Sequence, residues 1–215
     1  MPVASTMAVT IAAAAAAAFG YLLGSVPIAG SVTARRAGVD LREVGDRNPG
    51  YWNAKQQIGR RGAVPVFVGD VAKGALAAGF GLLVAGGSDE WWIGYVGGFA
   101  AMVGHAWPVF ARFRGGRGVL TFVGAACVLS PVTALISIAL TLAITAARGF
   151  AWGARVGVFA FPVVQFVVDG PYRTAATGCL MTLIGVRFAS AAIGSRADRR
   201  ALPDRQSPDR QPPHG

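Results

Sequence analysis

The stretch "GHAWPVFARFRGGRG" at residues 104–118 ends one apolar run and leads directly into the next. It holds the only histidine outside the C-terminal tail, followed by three arginines that surround a pair of glycines. The apolar runs on either side, residues 91–111 and 119–147, are each near or above the roughly 20 residues that a membrane-spanning helix needs. The stretch therefore predicts a cationic turn between two membrane helices.

The rest of the chain repeats this pattern. Of its 215 residues, 53% are hydrophobic and 14% charged, whereas about a quarter of the residues of a soluble domain are charged. Ser130-Pro131 is expected to break the longest run into two helices. We predict an all-α, polytopic membrane protein with about seven transmembrane helices: 7–33, 63–84, 91–111, 118–130, 131–147, 154–168 and 173–194. Residues 1–194 would form one domain, and residues 195–215 a disordered, basic, proline-rich tail.

Basic and non-basic connections alternate along the chain. The basic ones are residues 35–62, 112–118 and 148–155, and Arg173 is the one exception to the alternation. By the positive-inside rule the N-terminus lies outside and the C-terminus in the cytoplasm. Polar chemistry is then expected at the inner water interface. The net charge of +10 comes without an aromatic-studded basic face, so we predict no nucleic-acid partner.

The glycines of the cationic turn suggest an anion site. Glycine permits close approach and positive φ, so that successive N–H groups can converge on a phosphate. The next helix begins after Gly118 and adds a positive dipole end. Arg114 and Arg117 supply charge beside the glycines. The alternative is a tight turn whose arginines serve only the positive-inside rule.

Three ionisable residues fall inside predicted spans. His105 lies seven residues before Arg112, about 10 Å along a helix at 1.5 Å per residue, and its imidazole is a candidate catalytic base. The alternative is a histidine satisfied by neighbouring helices. Asp70 and Lys73, at i and i+3, are predicted to form a structural ion pair.

The first connection contains a turn at Asn48-Pro49-Gly50 and is too rich in turn residues for a long helix. Its Asn48, Asn53 and Lys55 form a candidate second phosphate or polyol contact, although a plain loop fits the composition nearly as well. The chain has no activated nucleophile, HExxH or CxxC pattern, so we expect neither a covalent intermediate nor a metal or cofactor.

The chain contains several motifs in this order: "YLLGSVPIAG" (21–30), "VDLREVG" (39–45) followed closely by "NPGYWNA" (48–54), "GDVAKGALA" (69–77) and "GHAWPVFARFRGGRGV" (104–119). With these motifs, about residues 20–190 resemble the bacterial acyl-phosphate:glycerol-3-phosphate acyltransferases, small seven-span membrane enzymes of phospholipid synthesis. The last motif is highly specific, since its family form is close to GH-x-x-P-V-F-x-x-F-K-G-G-K-G-V.

The resemblance implies transfer of a fatty acyl group from acyl phosphate to the sn-1 hydroxyl of glycerol 3-phosphate. The product would be lysophosphatidic acid, made in the bacterial cell membrane without a metal or acyl-enzyme. The resemblance also gives Gly115, Gly116, Arg117 and Gly118 a phosphate-cradling role. If the chain is active, His105 or a substrate phosphate oxygen would take the hydroxyl proton.

The motifs expected to hold glycerol 3-phosphate are altered. Where the family has Ser, Gly, Thr, Arg, Ser, Ser, His and Asn, this chain has, respectively, Asp46, Arg47, Trp52, Gln56, Ala151, Ala154, Phe188 and Ala191. The carboxylate of Asp46 would repel a phosphate unless Arg47 or Lys55 offsets it. The leading hypothesis is an acyltransferase, and the alternative is a non-catalytic or altered-acceptor homologue that binds acyl phosphate or phospholipid precursors. A transporter is disfavoured because no inverted repeat is evident.

Overall fold

The structure, a computed structural model, describes residues 3–87 and 89–201, with side chains from residue 6 to residue 194. These residues form nine α-helices, a single 3-10 turn at Val109–Ala111, and no strand. The helices are α1 (Val3–Gly24), α2 (Ile28–Ala37), α3 (Tyr51–Gly62), α4 (Val64–Ala85), α5 (Trp92–Ala106), α6 (Val119–Leu129), α7 (Pro131–Arg148), α8 (Phe150–Asp169) and α9 (Pro171–Ala201). The predicted all-α membrane class is confirmed.

Five helical segments in the described part of the chain are long and apolar enough to cross a membrane. They are Thr6–Ala37, Val64–Ala85, Pro131–Arg148, Phe150–Asp169 and Pro171–Gly194. Helices α5 and α6 are shorter, and the 11 residues of α6 extend only about 16 Å at 1.5 Å per residue. The count of seven spans, and the orientation of the ends, remain predictions.

The helices depart from the predicted spans at several places. The first predicted span breaks after α1, because Pro27 lacks an amide donor and α2 starts only at Ile28. The third span was predicted to reach residue 111, but α5 ends at Ala106. The first connection contains the unpredicted helix α3, which is kinked at Gly59, where φ is 70°. By contrast, the predicted break at Ser130-Pro131 is confirmed.

Helix α4 packs against α1, α5 and α6, and glycines allow these helices to approach closely. A Cβ atom on Gly74 of α4 would collide with the carbonyl oxygen of Thr121 in α6. Reciprocally, one on Gly124 of α6 would collide with the carbonyl oxygen of Val71 in α4. The α4–α6 contact is therefore made backbone to backbone, and it holds the start of α6 beside the polar residues of α4.

A buried polar network joins α5, α7 and α8 beside the break at Ser130-Pro131. The side-chain amide of Gln165 donates to Ser130 Oγ at 2.7 Å and to the Tyr95 hydroxyl at 3.2 Å. Arg173 donates to the carbonyl oxygen of Leu129 at 2.9 Å, where α6 ends. This contact accounts for the one cation that breaks the alternation of basic loops, since Arg173 satisfies a helix terminus.

Helix α9 continues to Ala201, so the first seven residues of the predicted tail are helical. The remainder of that tail, residues 202–215, lies outside the described residues.

The α4–α6 contact predicts a difference between two glycines of one helix. We expect Gly74→Ala to destabilise the protein by about 1–3 kcal/mol, because the new methyl group meets the Thr121 backbone. Gly79→Ala is the matched control: a Cβ atom there meets nothing within 4 Å, so helix propensity should stabilise it by up to about 1 kcal/mol. Thermal unfolding of the purified protein in detergent measures both, and equal melting temperatures would contradict the packing described.

Candidate functional site

The turn that follows α5 folds back onto the end of that helix. The Gly115 amide donates to the Ala106 carbonyl oxygen at 3.2 Å, and the Gly116 amide donates to the His105 carbonyl oxygen at 3.1 Å. A Cβ atom on Gly115 would collide with the His105 carbonyl oxygen, and one on Gly116 with the His105 imidazole. Both positions therefore need glycine because of close approach.

One sequence prediction about this turn is wrong, and another stays a prediction. The Gly115 and Gly116 amides each already donate to a helix carbonyl, and the phosphate-binding role of the two glycines stays a prediction. His105 and Arg112 do not lie on one helix about 10 Å apart, because α5 ends at Ala106 and the chain then reverses. Gly118, with φ of 80°, stands at the N-terminal end of α6, as predicted.

Arg187 of α9 binds the backbone of the same turn. It donates to the carbonyl oxygens of Gly115 at 2.9 Å and Gly116 at 3.2 Å, and its guanidinium lies 5.1 Å from the centre of the Trp107 ring. Arg187 is not among the site residues predicted from the sequence. An arginine inside an apolar span is nevertheless a signal of function or of close pairing, and it could have identified this residue.

Arg117 is held between two residues that depart from the family pattern. Its guanidinium donates to a carboxylate oxygen of Asp46 at 3.0 Å and lies 4.6 Å from the centre of the Phe188 ring. Its Nε is buried and has no hydrogen-bond partner among the described residues. Asp46 forms this ion pair with Arg117, and the expectation that Arg47 or Lys55 offsets Asp46 stays a prediction. The Asp46 side chain is 39% exposed, and exposed pairs contribute at most about 1 kcal/mol, so a substrate phosphate can compete for Arg117.

The three ionisable residues of the spans meet in one buried cluster. Lys73 Nζ lies 2.8 Å from Asp70 Oδ1, and His105 Nδ1 lies 3.6 Å from the same oxygen. Each side chain is less than a tenth exposed. The ion pair leaves this part of the bundle without net charge, and Asp70 fixes which imidazole nitrogen faces it. The other nitrogen, Nε2, lies toward Gly116.

A cavity of about 800 Å³ opens beside this cluster, between α2, the following loop and the turn after α5. Asp70, Lys73 and His105 line it, together with Arg112 and Arg114. Arg117 and the glycines of the turn are not among its lining residues. Arg117 therefore does not border this cavity.

The predicted second phosphate contact is not assembled. The side-chain amide of Asn53 is fully buried and donates to the carbonyl oxygens of Leu41 at 3.0 Å and Val44 at 2.9 Å. It closes the loop and has no hydrogen left for a ligand. Lys55 Nζ lies 4.4 Å from the centre of the Trp52 ring, and neither Asn48 nor Lys55 lines the cavity.

Comparison with known proteins connects this geometry to a family. The family described as glycerol-3-phosphate acyltransferase matches residues 14–194. Glycerol-3-phosphate acyltransferase 4 of Dehalococcoides mccartyi (strain CBDB1) is 40% identical over 152 residues, which are 70% of this chain and 64% of that protein. Glycerol-3-phosphate acyltransferase of Rubrobacter xylanophilus is 38% identical over 186 residues, which are 85% of this chain and 87% of that protein.

Solved structures of the same kind share the fold. PlsY (YgiH), an integral membrane glycerol 3-phosphate acyltransferase, superposes in its glycerol 3-phosphate form with a TM-score of 0.72 and 31% identity, covering 87% of this chain and 93% of PlsY. Its lysophosphatidic acid form gives a TM-score of 0.70. With motifs, fold and family match in agreement, this multi-pass membrane protein belongs to the glycerol-3-phosphate acyltransferase family.

Proposed function

We propose that this protein transfers a fatty acyl group from acyl phosphate to glycerol 3-phosphate and so makes lysophosphatidic acid in phospholipid synthesis. The observation that carries the proposal is the position of His105. Its imidazole faces Asp70 through one nitrogen and lies against Gly116 through the other, in the turn that bears Arg117. A candidate base near the end of α5 thus contacts the turn that carries a candidate phosphate-binding cation, and the base also lines an open cavity.

The reaction needs no group outside these side chains and the two substrates. The acceptor hydroxyl oxygen attacks the acyl carbonyl carbon, the bond from that carbon to the phosphate oxygen breaks, and phosphate leaves. The hydroxyl proton passes to His105 Nε2 or to a phosphate oxygen. Arg117 stabilises the charge that builds up on the departing phosphate. The 3.6 Å separation of His105 from Asp70 exceeds a hydrogen bond, but such contacts often tighten when substrate binds.

We further propose that this site faces the cytoplasm. The turn after α5 is one of three basic stretches, and the positive-inside rule places all three on the inner side of the membrane. In this orientation the polar phosphorylated substrates reach the site from water, while the acyl chain stays in the bilayer.

The first experiment supplies purified protein with palmitoyl phosphate and glycerol 3-phosphate. We expect both lysophosphatidic acid and inorganic phosphate. If neither product forms while acyl phosphate still binds, the protein is a non-catalytic lipid-precursor binder. If phosphate and an acylated product appear only with another polyol, the acceptor is altered.

Arg117→Ala is expected to lower turnover about 10²-fold or more, the usual cost of removing one donor that stabilises transition-state charge. The control is Arg60→Gln, which removes a charge from an exposed residue at the end of α3. Turnover of Arg117→Ala equal to that of the control would contradict the role of Arg117.

Asp46→Asn is expected to lower the KM for acyl phosphate about threefold to fivefold, because it frees Arg117 from an ion pair worth up to about 1 kcal/mol. Asparagine can still accept the bond that Asp46 receives from the Asn48 amide, so the loop is preserved. Steady-state kinetics with Asp46→Ala alongside separate the charge from the loop contact. A higher KM in Asp46→Asn would show that the carboxylate helps binding.

Arg187 is expected to be a positioning residue for the turn. Arg187→Met removes both donors to the glycine carbonyls and should reduce kcat about tenfold, the scale of one or two lost charge-assisted hydrogen bonds. Arg187→Lys keeps a cation and one donor, and should restore part of the loss. If Arg187→Met changes only the melting temperature, and not kcat per folded molecule, the contact is structural alone.

A further inference from the structure

The hairpin of α7 and α8 is attached firmly to the bundle in the half that lies away from the connection between the two helices. Gln165 of α8 donates to the Tyr95 hydroxyl of α5 at 3.2 Å and to Ser130 Oγ at 2.7 Å. The Phe161 ring of α8 lies 5.7 Å, centre to centre, from the Phe122 ring of α6. All five side chains are buried, so this half of the hairpin is fixed to the bundle.

The other half of the hairpin, residues 138–160, forms an arm that the bundle supports much less. None of the residues 138–152, all of which the structure describes, is buried. The two helices of the arm pack closely on each other instead. A Cβ atom on Gly153 would collide with Thr145 Oγ1, and one on Gly157 would collide with Thr141 Oγ1. The arm is therefore a stiff unit whose position depends on what holds its far end.

An aromatic stack connects that far end to α3. The Phe150 ring at the start of α8 lies 5.6 Å, centre to centre, from the Trp52 ring, and the two planes differ by 12°. Lys55 Nζ lies 4.4 Å from the centre of the same Trp52 ring. The two aromatic side chains are both about half exposed. An aromatic pair favours the contact by about threefold to tenfold, which holds the arm in place and still allows it to open.

The stack lies at the same end of the bundle as Arg117. The ring pair and the hydrogen bond that fix the hairpin come in the same order along α6 and α8, so these two helices run parallel. Arg117 precedes α6 and Phe150 begins α8. The chain before Trp52 also contacts the turn, since a Cβ atom on Gly116 would lie 3.2 Å from the Pro49 carbonyl oxygen. The stack thus joins the arm to the segment that packs against the turn carrying Arg117.

We propose that Trp52 and Phe150 are positioning residues that form a latch. Their stack holds the arm against α3 beside Arg117, and its opening lets a long-chain acyl phosphate enter from the bilayer and the acylated product leave. Threonine, the family residue at position 52, has no ring to stack, so Trp52 gives this chain a contact that the family pattern lacks. The kinetic part of the inference rests on the proposed acyl transfer, whereas movement of the arm can be measured without turnover.

The first test measures the position of the arm. Spin labels are attached at Gln56→Cys on α3 and Leu142→Cys in the arm, two exposed positions, in full-length protein whose two native cysteines are replaced by alanine. Pulsed electron paramagnetic resonance should give a narrow distance distribution, and Phe150→Ala should broaden it. Phe159→Ala is the matched control, because it removes a ring from the same helix where the side chain is 75% exposed. Equal widths for the two variants would overturn the inference.

Steady-state kinetics test the same pair of variants. Phe150→Ala should lower kcat/KM for palmitoyl phosphate about threefold to tenfold, the range that an aromatic pair supplies. Phe150→Tyr keeps the ring and should restore the value, and Phe159→Ala should stay within twofold. The KM for glycerol 3-phosphate should also stay within twofold, because only the lipid substrate passes the arm. An unchanged kcat/KM in Phe150→Ala, or an equal loss in Phe159→Ala, contradicts the latch.

A reversible cross-link shows whether the arm must open. In the cysteine-free protein, Trp52→Cys and Phe150→Cys are joined by a short bis-methanethiosulfonate linker. Turnover should be lost and should return when dithiothreitol removes the linker, while each single-cysteine variant stays active after the same treatment. Full turnover of the cross-linked protein would overturn the inference. If the unmodified protein forms no lysophosphatidic acid, the proposed reaction fails, and the spin-label comparison still decides whether the stack holds the arm.

Discussion

The buried C-terminal end of α5 must find donors for its last carbonyl groups, because a helix leaves these unpaired and lipid supplies no partner. The chain provides them itself, through the Gly115 and Gly116 amides. The approach is so close that a side chain at either glycine would collide with His105. The path of the turn is therefore fixed, and with it the positions of Arg117 and of the cavity arginines. A hydrogen-bonding requirement of one helix end thus arranges the whole candidate site.

The apolar runs predicted the long helices, because a helix in lipid needs an apolar composition. Ser130-Pro131 predicted the break between two of them, because proline interrupts a helix. They did not predict the end of α5. Residues 107–111 are as apolar as the helix before them, and only the tertiary contact with Gly115 and Gly116 shows where the helix stops. The same contact gives the two glycines a packing role that was not predicted from the sequence. Glycine signals both exposed amides and close packing, and sequence alone does not distinguish these meanings.

The two altered positions Asp46 and Phe188 form one structural unit. Taken separately, a carboxylate in place of serine and an apolar phenyl ring in place of the imidazole of histidine both suggest a damaged anion site. In the structure both contact the guanidinium of Arg117, one by an ion pair and one by a cation–π contact. Arginine, unlike lysine, presents a planar group that can accept both kinds of contact at once. The replacement of the family lysine by Arg117 is thus compatible with the other two changes.

The cations of the site differ in whether a protein group already neutralises them, and this difference separates structural from ligand-binding roles. Lys73 is buried and paired with Asp70, so removing either partner would leave an uncompensated charge in the bundle. Arg117 is partly exposed and paired with an exposed carboxylate, an interaction weak enough to exchange for a phosphate. Arg112 and Arg114 line an open cavity, and in the described part of the chain neither lies within 4 Å of a carboxylate. Lys73 therefore supports the fold, whereas the charges of Arg112 and Arg114 remain available to an anion from outside the protein.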